Sequence, residues 1–376
     1  MTDAGGEDRR IPVTLLTGFL GAGKTTLLNH LLRQPQAAGS AVLINELGTV
    51  GIDPQLLDPR LLGEVDETLV VLDSGCICCS VQGDLVRALK GLFMRALRRE
   101  IPALRRVLIE TTGLADPAPV IHTLMAEPFI AERYRCDGVI TAVDATHALQ
   151  QLGAHREAVR QAAMADRLLI TKCDLADDAA RDAVRQRLAE LNPAAPQIEV
   201  RAGAADAAAF FGCGLYDAAG KAPDVAAWLG EEAVRAQQAA AQAGRWRRPG
   251  APPQRAAADA AIDTAARRHD AGVTSFVLRF DAPLSWFEFS DALGLLLQLH
   301  GERILRIKGL LNVLGDPLPR VMQCVQHSVY PPRSLPAWPQ QPPFDDRRSR
   351  LVFIVRDLPR EDVEAMFASF LGQAPT

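Results

Sequence analysis

The feature that most constrains the fold is a glycine-rich loop near the N-terminus. Residues 13–16 form a short apolar run typical of a strand, and they lead into the sequence GFLGAGKT at positions 18–25. Leucines at positions 27, 28, 31 and 32 then give the apolar stripe of a helix. This order of strand, G-x-x-x-x-G-K-[ST] loop and helix is that of a phosphate-binding loop in a P-loop nucleotide-binding domain.

The residue types in this loop suit a triphosphate. Glycines let the backbone turn tightly and direct its N–H groups at phosphate oxygens, and the helix that follows presents its positive end to them. We expect Lys24 to contact the β- and γ-phosphates and the Thr25 hydroxyl to bind Mg²⁺, and both to act in catalysis. The residues predicted to bind the nucleotide are Gly18, Gly21, Ala22, Gly23, Lys24, Thr25 and Thr26.

Two further loops follow strand-like runs and suit the phosphate end of a nucleotide. Glu110 comes directly after the run 107–109, where a carboxylate holds Mg²⁺ through water, and Gly113 has an N–H to offer the γ-phosphate. We therefore add Glu110 and Gly113 to the predicted catalytic residues. The glycine-rich stretch 45–53 follows another such run, and we interpret it as a switch loop that the γ-phosphate orders.

The sequence Thr171-Lys172-Cys173-Asp174 indicates which base is bound. It follows a strand-like run and is similar to the guanine-reading N/T-K-x-D element, with Thr in place of the commoner Asn. A carboxylate at Asp174 accepts hydrogen bonds from the ring N–H and the exocyclic amine of guanine, a donor pair that adenine lacks. We therefore predict a GTP site with Thr171, Lys172 and Asp174 around the base.

Three cysteines in one short segment predict a metal site. Cys76, Cys78 and Cys79 offer soft thiolate ligands that suit Zn²⁺ or Cu(I), and three thiolates fill three corners of a tetrahedron. Water, a ligand from a partner, or Glu46 of the predicted switch loop would fill the fourth. Buried core cysteines and a redox pair are the alternatives.

The pattern along the chain predicts an α/β fold. Short apolar runs alternate with helical patterns, which indicates a P-loop NTPase domain with a mostly parallel, doubly wound sheet. The predicted strands are 13–16, 41–44, 69–72, 107–109, 138–143 and 168–170, and helices are predicted at 84–98, 155–163 and 179–191. We assign residues 1–230 to this domain and residues 231–272, which are rich in Ala, Gln and Arg, to a linker.

Residues 273–376 are predicted to form a small α+β domain. Strands are expected at 275–280, 304–307, 321–327 and 351–355, and helices at 286–299 and 361–371.

Bulk composition excludes several classes. A net charge of −4 argues against a nucleic-acid binder held by basicity. No apolar run approaches the roughly 18 residues of a membrane span. Seven cysteines in 376 residues, three of them clustered, do not resemble a disulfide framework, and we expect the protein in a reducing compartment, the cytoplasm. The sequence leaves open whether the chain forms a homodimer.

Taken together, five motifs resemble those of the CobW-like GTPases, a class of P-loop metallochaperones. They are GFLGAGKTT, INELGTVGID, GCICC, ETTGLADP and TKCD, and the segments ILRIKGLLNV, VQHSVYPPRSLPAWP and DDRRSRLVFI resemble the family's second domain. The resemblance implies slow GTP hydrolysis, Mg²⁺ dependence, and Zn²⁺ or Co²⁺ bound at the cysteines for delivery to a client metalloprotein. Thr49 stands where the family often has Glu, and the His-rich stretch of many members is absent.

We therefore predict a GTP-hydrolysing metallochaperone in which the nucleotide state alters the metal affinity. The alternative is a nucleotide-gated zinc sensor with little turnover that regulates a partner. A small-molecule kinase with a structural zinc is a second alternative, and it predicts a preference for ATP, against which Asp174 argues.

Overall fold

A computed structural model describes residues 8–45, 69–72, 80–213, 225–236, 272–340 and 342–376. Contacts divide the chain into two units. The first comprises Met1–Ala148, Ala165–Val184 and Pro196–Pro223, and the second comprises Leu149–Met164, Arg185–Ala195 and Asp224–Thr376. Because these units follow contacts rather than continuous segments, the division of the sequence at residues 230 and 273 stays a prediction.

The first unit is built on a seven-stranded sheet of order β3-β2-β4-β1-β5-β6-β7, in which every described pairing is parallel. The strands are β1 Ile11–Gly18, β2 Ser40–Asn45, β3 Leu69–Leu72, β4 Arg106–Thr111, β5 Tyr134–Asp144, β6 Arg167–Thr171 and β7 Gln197–Glu199. Each of the six strands predicted for this domain lies within one of them, and the predicted parallel α/β fold is confirmed. β7 was not predicted.

Helices lie between these strands along the chain, and one more follows β7; residues 149–164 and those from 224 onward belong to the second unit by their contacts. The helices are α1 Lys24–Leu32, α2 Ser80–Leu97, α3 Ala118–Ala126, α4 Pro128–Arg133, α5 Ala148–Ala154, α6 Arg156–Met164, α7 Asp178–Leu191 and α8 Val225–Leu229. The apolar stripe of α1 (Leu27, Leu28 and Leu31) is buried with Leu16 and Ile140 of the sheet. Each leucine buried in this way contributes about 1.5–3 kcal/mol. No helix among the described residues is long and apolar enough to span a bilayer.

The strand registers place the polar strand ends at one edge of the sheet. Glu110 of β4 is level with Leu16 of β1, and Asn45 of β2 is level with both Thr111 of β4 and Leu72 of β3. On the other side of β1, Asp144 of β5 is level with Thr171 of β6. This is the carboxyl edge, where open parallel sheets bind ligands.

The second unit contains an antiparallel sheet of order β11-β10-β9-β13-β8, with β12 paired to β10. Its elements are β8 Val273–Phe280, α9 Trp286–His300, β9 Ile304–Leu311, β10 Arg320–Val325, β11 Ser328–Val329, β12 Arg333–Ser334, β13 Ser349–Arg356 and α10 Arg360–Leu371. One core joins both helices to the sheet, and the rings of Phe289 in α9 and Phe367 in α10 stack with centroids 5.7 Å apart. The predicted α+β class is confirmed.

One predicted strand is too long. The prediction ran from residue 321 to His327, but β10 ends at Val325. Gln326 has a φ of +49°, which is incompatible with an extended strand, and residues 326 and 327 form the turn into β11.

Buried charges lie among the elements of the second unit. Arg306 of β9 donates to the carbonyl of Met164 at the end of α6 at 2.6 Å, and Lys308 donates to the carbonyl of Trp228 in α8 at 2.9 Å. Both cations therefore satisfy carbonyl groups near helix C-termini.

The first residues of the predicted linker belong to this unit. Residues 231–236 are helical, and Glu231 is fully buried. Its carboxylate lies 2.8 Å from Nε of Arg350 and accepts a hydrogen bond from Nε of Arg279 at 2.9 Å. Residues 237–271 of the predicted linker lie outside the described residues.

Candidate functional site

The phosphate loop joins the end of β1 to the start of α1. Gly18, with a φ of +141°, lies so close to β5 that a Cβ there would stand 2.3 Å from the carbonyl oxygen of Ala142. Gly23 is in the left-handed region, with a φ of +82°, and forms the N-cap of α1. Both positions therefore need glycine, one for space and one for backbone conformation.

Lys24 is the cation of this loop. It is only 9% exposed, and its Nζ donates to the carbonyls of Gly18 at 2.9 Å and Phe19 at 3.3 Å. The first turn of α1 carries no acidic residue. A positive side chain and a helix N-terminus therefore act together at this loop, which is the chemistry that binds phosphate.

Thr25 and Glu110 lie together beside the loop, as the sequence indicated. The Thr25 hydroxyl donates to Oε1 of Glu110 at 3.0 Å, and Glu110 is 3% exposed at the end of β4. Mg²⁺ prefers oxygen ligands and commonly takes a hydroxyl and one or two carboxylates next to phosphates. The donor set present therefore fits Mg²⁺, and the roles of both residues stay a prediction.

Gly113 contacts the phosphate loop directly. A Cβ at this position would lie 2.6 Å from the backbone nitrogen of Leu20 and the same distance from its Cδ2. The loop after β4 and the phosphate loop are thus in backbone contact at this point. Only glycine permits such an approach, which is consistent with the predicted place of Gly113 near the γ-phosphate.

The residues of the predicted guanine motif follow β6 and contact three different elements. The Thr171 hydroxyl donates to the carbonyl of Ala22 in the phosphate loop at 2.8 Å. Lys172, with a φ of +57°, donates through Nζ to Oδ2 of Asp144 at 2.7 Å. Oδ1 of Asp174 accepts the backbone N–H of Ala202 at 2.9 Å. That hydrogen bond lowers the pKa of Asp174, so the carboxylate is charged at neutral pH.

The loop after β7 belongs to this site and was missed from the sequence. Ala202 and Gly203 both have positive φ, and a Cβ on Gly203 would lie 2.6 Å from Cγ2 of Thr26. The loop therefore lies against both Asp174 and the start of α1. β7 is a three-residue edge strand without an apolar run, so only the strand–helix alternation of the preceding elements could have indicated it.

Asp144 was also missed. It ends β5, is 2% exposed, and holds Lys172 and Thr146 by hydrogen bonds. Burial alone raises the pKa of Asp144, but the hydrogen bonds from Lys172 and Thr146 outweigh it and hold that pKa below its ordinary value. The signal that could have found Asp144 is its position directly after the apolar run 138–143, the same kind of position as that of Glu110.

The predicted zinc residues lie outside the described residues. These are Glu46, Cys76, Cys78 and Cys79, together with most of the predicted switch loop. The described chain ends on either side of them at Asn45, Leu72 and Ser80. Among the described residues, no group of three or more His, Cys, Asp or Glu is placed to hold a metal ion.

The four described cysteines are free thiols. Burial raises the pKa of Cys173, Cys213 and Cys324, so these three are protonated at neutral pH and are poor metal ligands. These three cysteines thus offer no competing thiolate site.

Comparison with known proteins identifies both parts of the chain. Residues 12–199 match the model of the CobW/HypB/UreG nucleotide-binding domain, and residues 273–371 match the cobalamin synthesis protein cobW C-terminal domain. The zinc chaperone YjiA of Escherichia coli (strain K12) is 34% identical over 358 residues, which is 95% of this chain and 98% of YjiA. The crystal structure of Zn(II)-bound YjiA GTPase from E. coli matches with a TM-score of 0.65 at 31% identity and covers 96% of this chain and 99% of that chain.

Other relatives match over one part of their length. The zinc chaperone CobW of Pseudomonas aeruginosa is 35% identical over 215 residues, which is 50% of this chain and 56% of that protein. The zinc-regulated GTPase metalloprotein activator 1 of Schizosaccharomyces pombe is 34% identical over 198 residues, 52% of this chain and 47% of that protein. The chain spans about half the length of these two relatives.

Proposed function

Because this chain belongs to the CobW/HypB/UreG family and is a GTPase, we propose that it is a nucleotide-dependent metal chaperone. Its cargo is Zn²⁺ or Co²⁺, bound by the thiolates of Cys76, Cys78 and Cys79 with Glu46 as the fourth ligand. GTP binding and hydrolysis set the affinity of these ligands, and the ion passes to a client metalloprotein. The thiolates require a reducing compartment, and we place the protein in the cytoplasm.

The observation that carries this proposal is the alignment of three strand ends. Asn45 of β2 is level with Thr111 of β4 and with Leu72 of β3. Glu46 is the residue after Asn45, and Cys76 is four residues after Leu72. The strands that precede the proposed ligands in the sequence thus end at the same edge of the sheet, beside the strand that carries Glu110. The names of the relatives support zinc as the cargo, since two of the relatives that match are zinc chaperones.

The described residues account for the nucleotide end of this cycle. When GTP binds, Lys24 exchanges the carbonyls of Gly18 and Phe19 for oxygens of the β- and γ-phosphates. Thr25 and Glu110 would hold Mg²⁺, which supplies positive charge that neutralises the charge developing on the phosphates. Gly113 offers its N–H to the γ-phosphate and so senses its presence. Lys24 is the only cation in residues 18–25, so we expect slow intrinsic turnover.

The base is selected at the other end of the pocket. Asp174 accepts the two N–H donors of guanine, while the stem of Lys172 lies across the ring. Adenine leaves the charge of Asp174 without these donors, and ATP is rejected for that reason. This choice of nucleotide disfavours the small-molecule kinase.

Metal titration in two nucleotide states tests the proposal. Zinc affinity is measured by competition with a chromophoric chelator, with GDP or with a non-hydrolysable GTP analogue bound. Coupling of about 1–3 kcal/mol predicts a 5- to 150-fold difference between the two affinities. The triple Cys76→Ser, Cys78→Ser, Cys79→Ser variant should lose the difference, and the control Cys136→Ser, at a half-buried thiol, should keep it.

The test depends on the difference in zinc affinity between the two nucleotide states and not on the total amount of zinc bound. A triple variant of YjiA with one glutamate and two cysteines replaced by alanine is still described as Zn(II)-bound, so residual zinc on the triple serine variant is compatible with the proposal. Equal affinities with both nucleotides in the unmodified protein would overturn it. Transfer of zinc to a client metalloprotein with GTP but not with the analogue distinguishes a chaperone from a nucleotide-gated sensor.

A further inference from the structure

We propose that Asp144 is a positioning residue of the guanine site, which fixes the ammonium of Lys172 and thereby the stem that covers the base. This inference rests on the proposed guanine site at Lys172 and Asp174, and it extends that site to the neighbouring strand. No residue of β5 was part of the nucleotide site inferred from the motifs.

The carboxylate of Asp144 is itself rigidly held. Its Oδ1 accepts the backbone N–H of Thr146 at 2.9 Å and the Thr146 hydroxyl at 2.6 Å, so a tight turn closes on the side chain. The turn is tied to β6, because the N–H of Ala145 donates to the carbonyl of Thr171 at 3.0 Å. Oδ2 is thus presented at a fixed place beside the residue that precedes Lys172.

The Lys172 side chain spans from the end of β6 to this carboxylate. Its Nζ lies 2.7 Å from Oδ2 of Asp144, while the side chain as a whole is 35% exposed and that of Asp144 is 3% exposed. The charged end is therefore anchored at a buried carboxylate, while 35% of the Lys172 side chain remains exposed and available to a planar ring. A four-carbon stem without such an anchor samples many rotamers, and ordering it on nucleotide binding would weaken the affinity.

The backbone conformation of Lys172 also supports this inference. Its φ of +57° lies in the left-handed region, which costs a non-glycine residue free energy and persists only where the surroundings impose it. The buried carboxylate needs a cation close by, since an unpaired buried charge is strongly unfavourable. His147 is a second titratable group at Asp144, with Nδ1 3.3 Å from Oδ2, but it is 60% exposed and makes the longer contact.

A structural ion pair with no part in binding is the competing explanation, and β5 offers a matched control for it. Asp137 lies at the other end of the same strand, is 4% exposed, pairs with Arg135 at 3.1 Å and accepts the N–H of Gly212 at 3.0 Å. Asp137→Asn and Asp144→Asn thus make the same chemical change on one strand, at opposite edges of the sheet.

The experiment measures GDP and GTP affinity with a fluorescent nucleotide and the rate of single-turnover hydrolysis at saturation. Asp144→Asn should weaken both affinities about tenfold, equal to about 1.4 kcal/mol, and change the saturated rate less than twofold. Asp137→Asn should leave both affinities unchanged. Unchanged affinity in a folded Asp144→Asn variant overturns the inference.

A double-mutant cycle separates positioning from a general structural effect. If Asp144 acts through Lys172, Asp144→Asn should add no further loss to Lys172→Met, whereas additive losses would refute the inference. Thr146→Val, which removes the 2.6 Å hydrogen bond to Asp144 and the 2.7 Å contact with Nδ1 of the exposed His147, serves if Asp144→Asn does not fold, and it should give a smaller loss that also vanishes in Lys172→Met. Equal binding of ATP and GTP by the unmodified protein is a different failure, because it removes the guanine site itself.

Discussion

A single hydroxyl links the guanine motif to the phosphate loop, and removing it should weaken both the fold and nucleotide binding. Thr171 is 3% exposed, and its Oγ1 lies 2.8 Å from the carbonyl of Ala22 and 3.2 Å from the carbonyl of Val143. A hydroxyl has one proton, so it makes one strong bond, to Ala22. Thr171→Val keeps the shape of the side chain and removes that bond.

The structure sets the size of the effect. Leaving a buried carbonyl without its donor costs about 1–3 kcal/mol, and the nearby second acceptor adds nothing because it shared the same proton. We expect the free energy of unfolding to fall by about 1.5 kcal/mol. GDP affinity should fall by up to about tenfold, since the phosphate loop is then less well preorganised.

β1 provides the matched control. Thr14 is fully buried, and among the described residues its hydroxyl has no hydrogen-bond partner. Thr14→Val should therefore be neutral or stabilising, because it removes a buried polar group that makes no bond.

Urea unfolding followed by far-ultraviolet circular dichroism gives the free energies, and a fluorescent GDP gives the affinities. Tryptophan fluorescence would not serve, since all four tryptophans lie between residues 228 and 338. Equal losses of stability in the Thr14 and Thr171 variants would refute the reasoning, as would unchanged GDP affinity in Thr171→Val.

Two further predictions concern the carboxylates of Asp174 and Glu231. Asp174→Asn should reverse the preference for GTP over XTP in competition binding, because an amide matches the ring N–H and the C2 carbonyl of xanthine; Asp177→Asn, in the same loop, should keep the preference for GTP. Glu231→Gln should lower the free energy of unfolding by about 3 kcal/mol in urea titrations, because the fully buried carboxylate lies against Arg279 and Arg350. A loss below 1 kcal/mol would show that these two ion pairs contribute little.

Sequence patterns located the strands well where apolar residues are consecutive. β1 to β6 each contain an apolar run in the sequence, because a parallel strand covered on both faces needs one. β7 was missed since Gln197–Glu199 is an edge strand of three residues with partly exposed positions. The end of β10 depended on the positive φ of Gln326, a conformation that side-chain patterning does not reveal.

The sequence predicted only part of the candidate site, because motifs identify residues that are close together along the chain and not contacts between distant ones. Lys24, Thr25, Glu110 and Gly113 follow strand ends within recognised motifs, and the structure brings them together. The contacts of Asp144 with Lys172 and of Ala202 with Asp174 join residues 28 positions apart along the chain, and one partner in each contact lies outside any motif. Similarly, composition indicated a linker from residue 231, whereas Glu231 is buried against arginines at positions 279 and 350.

Because the ends of β4, β2 and β3 are level, only a short distance across the sheet separates the loop after β4 from the chain after β3. Neighbouring strands lie about 4.8 Å apart, so two steps across the sheet carry a displacement from Thr111 to Leu72 over about 10 Å. If Gly113 responds to the γ-phosphate as proposed, the change would reach the strand that precedes Cys76 without rotation of a domain or transmission through a long helix. In the proposed function, a path this short favours a fast response of the proposed metal ligands to loss of the γ-phosphate.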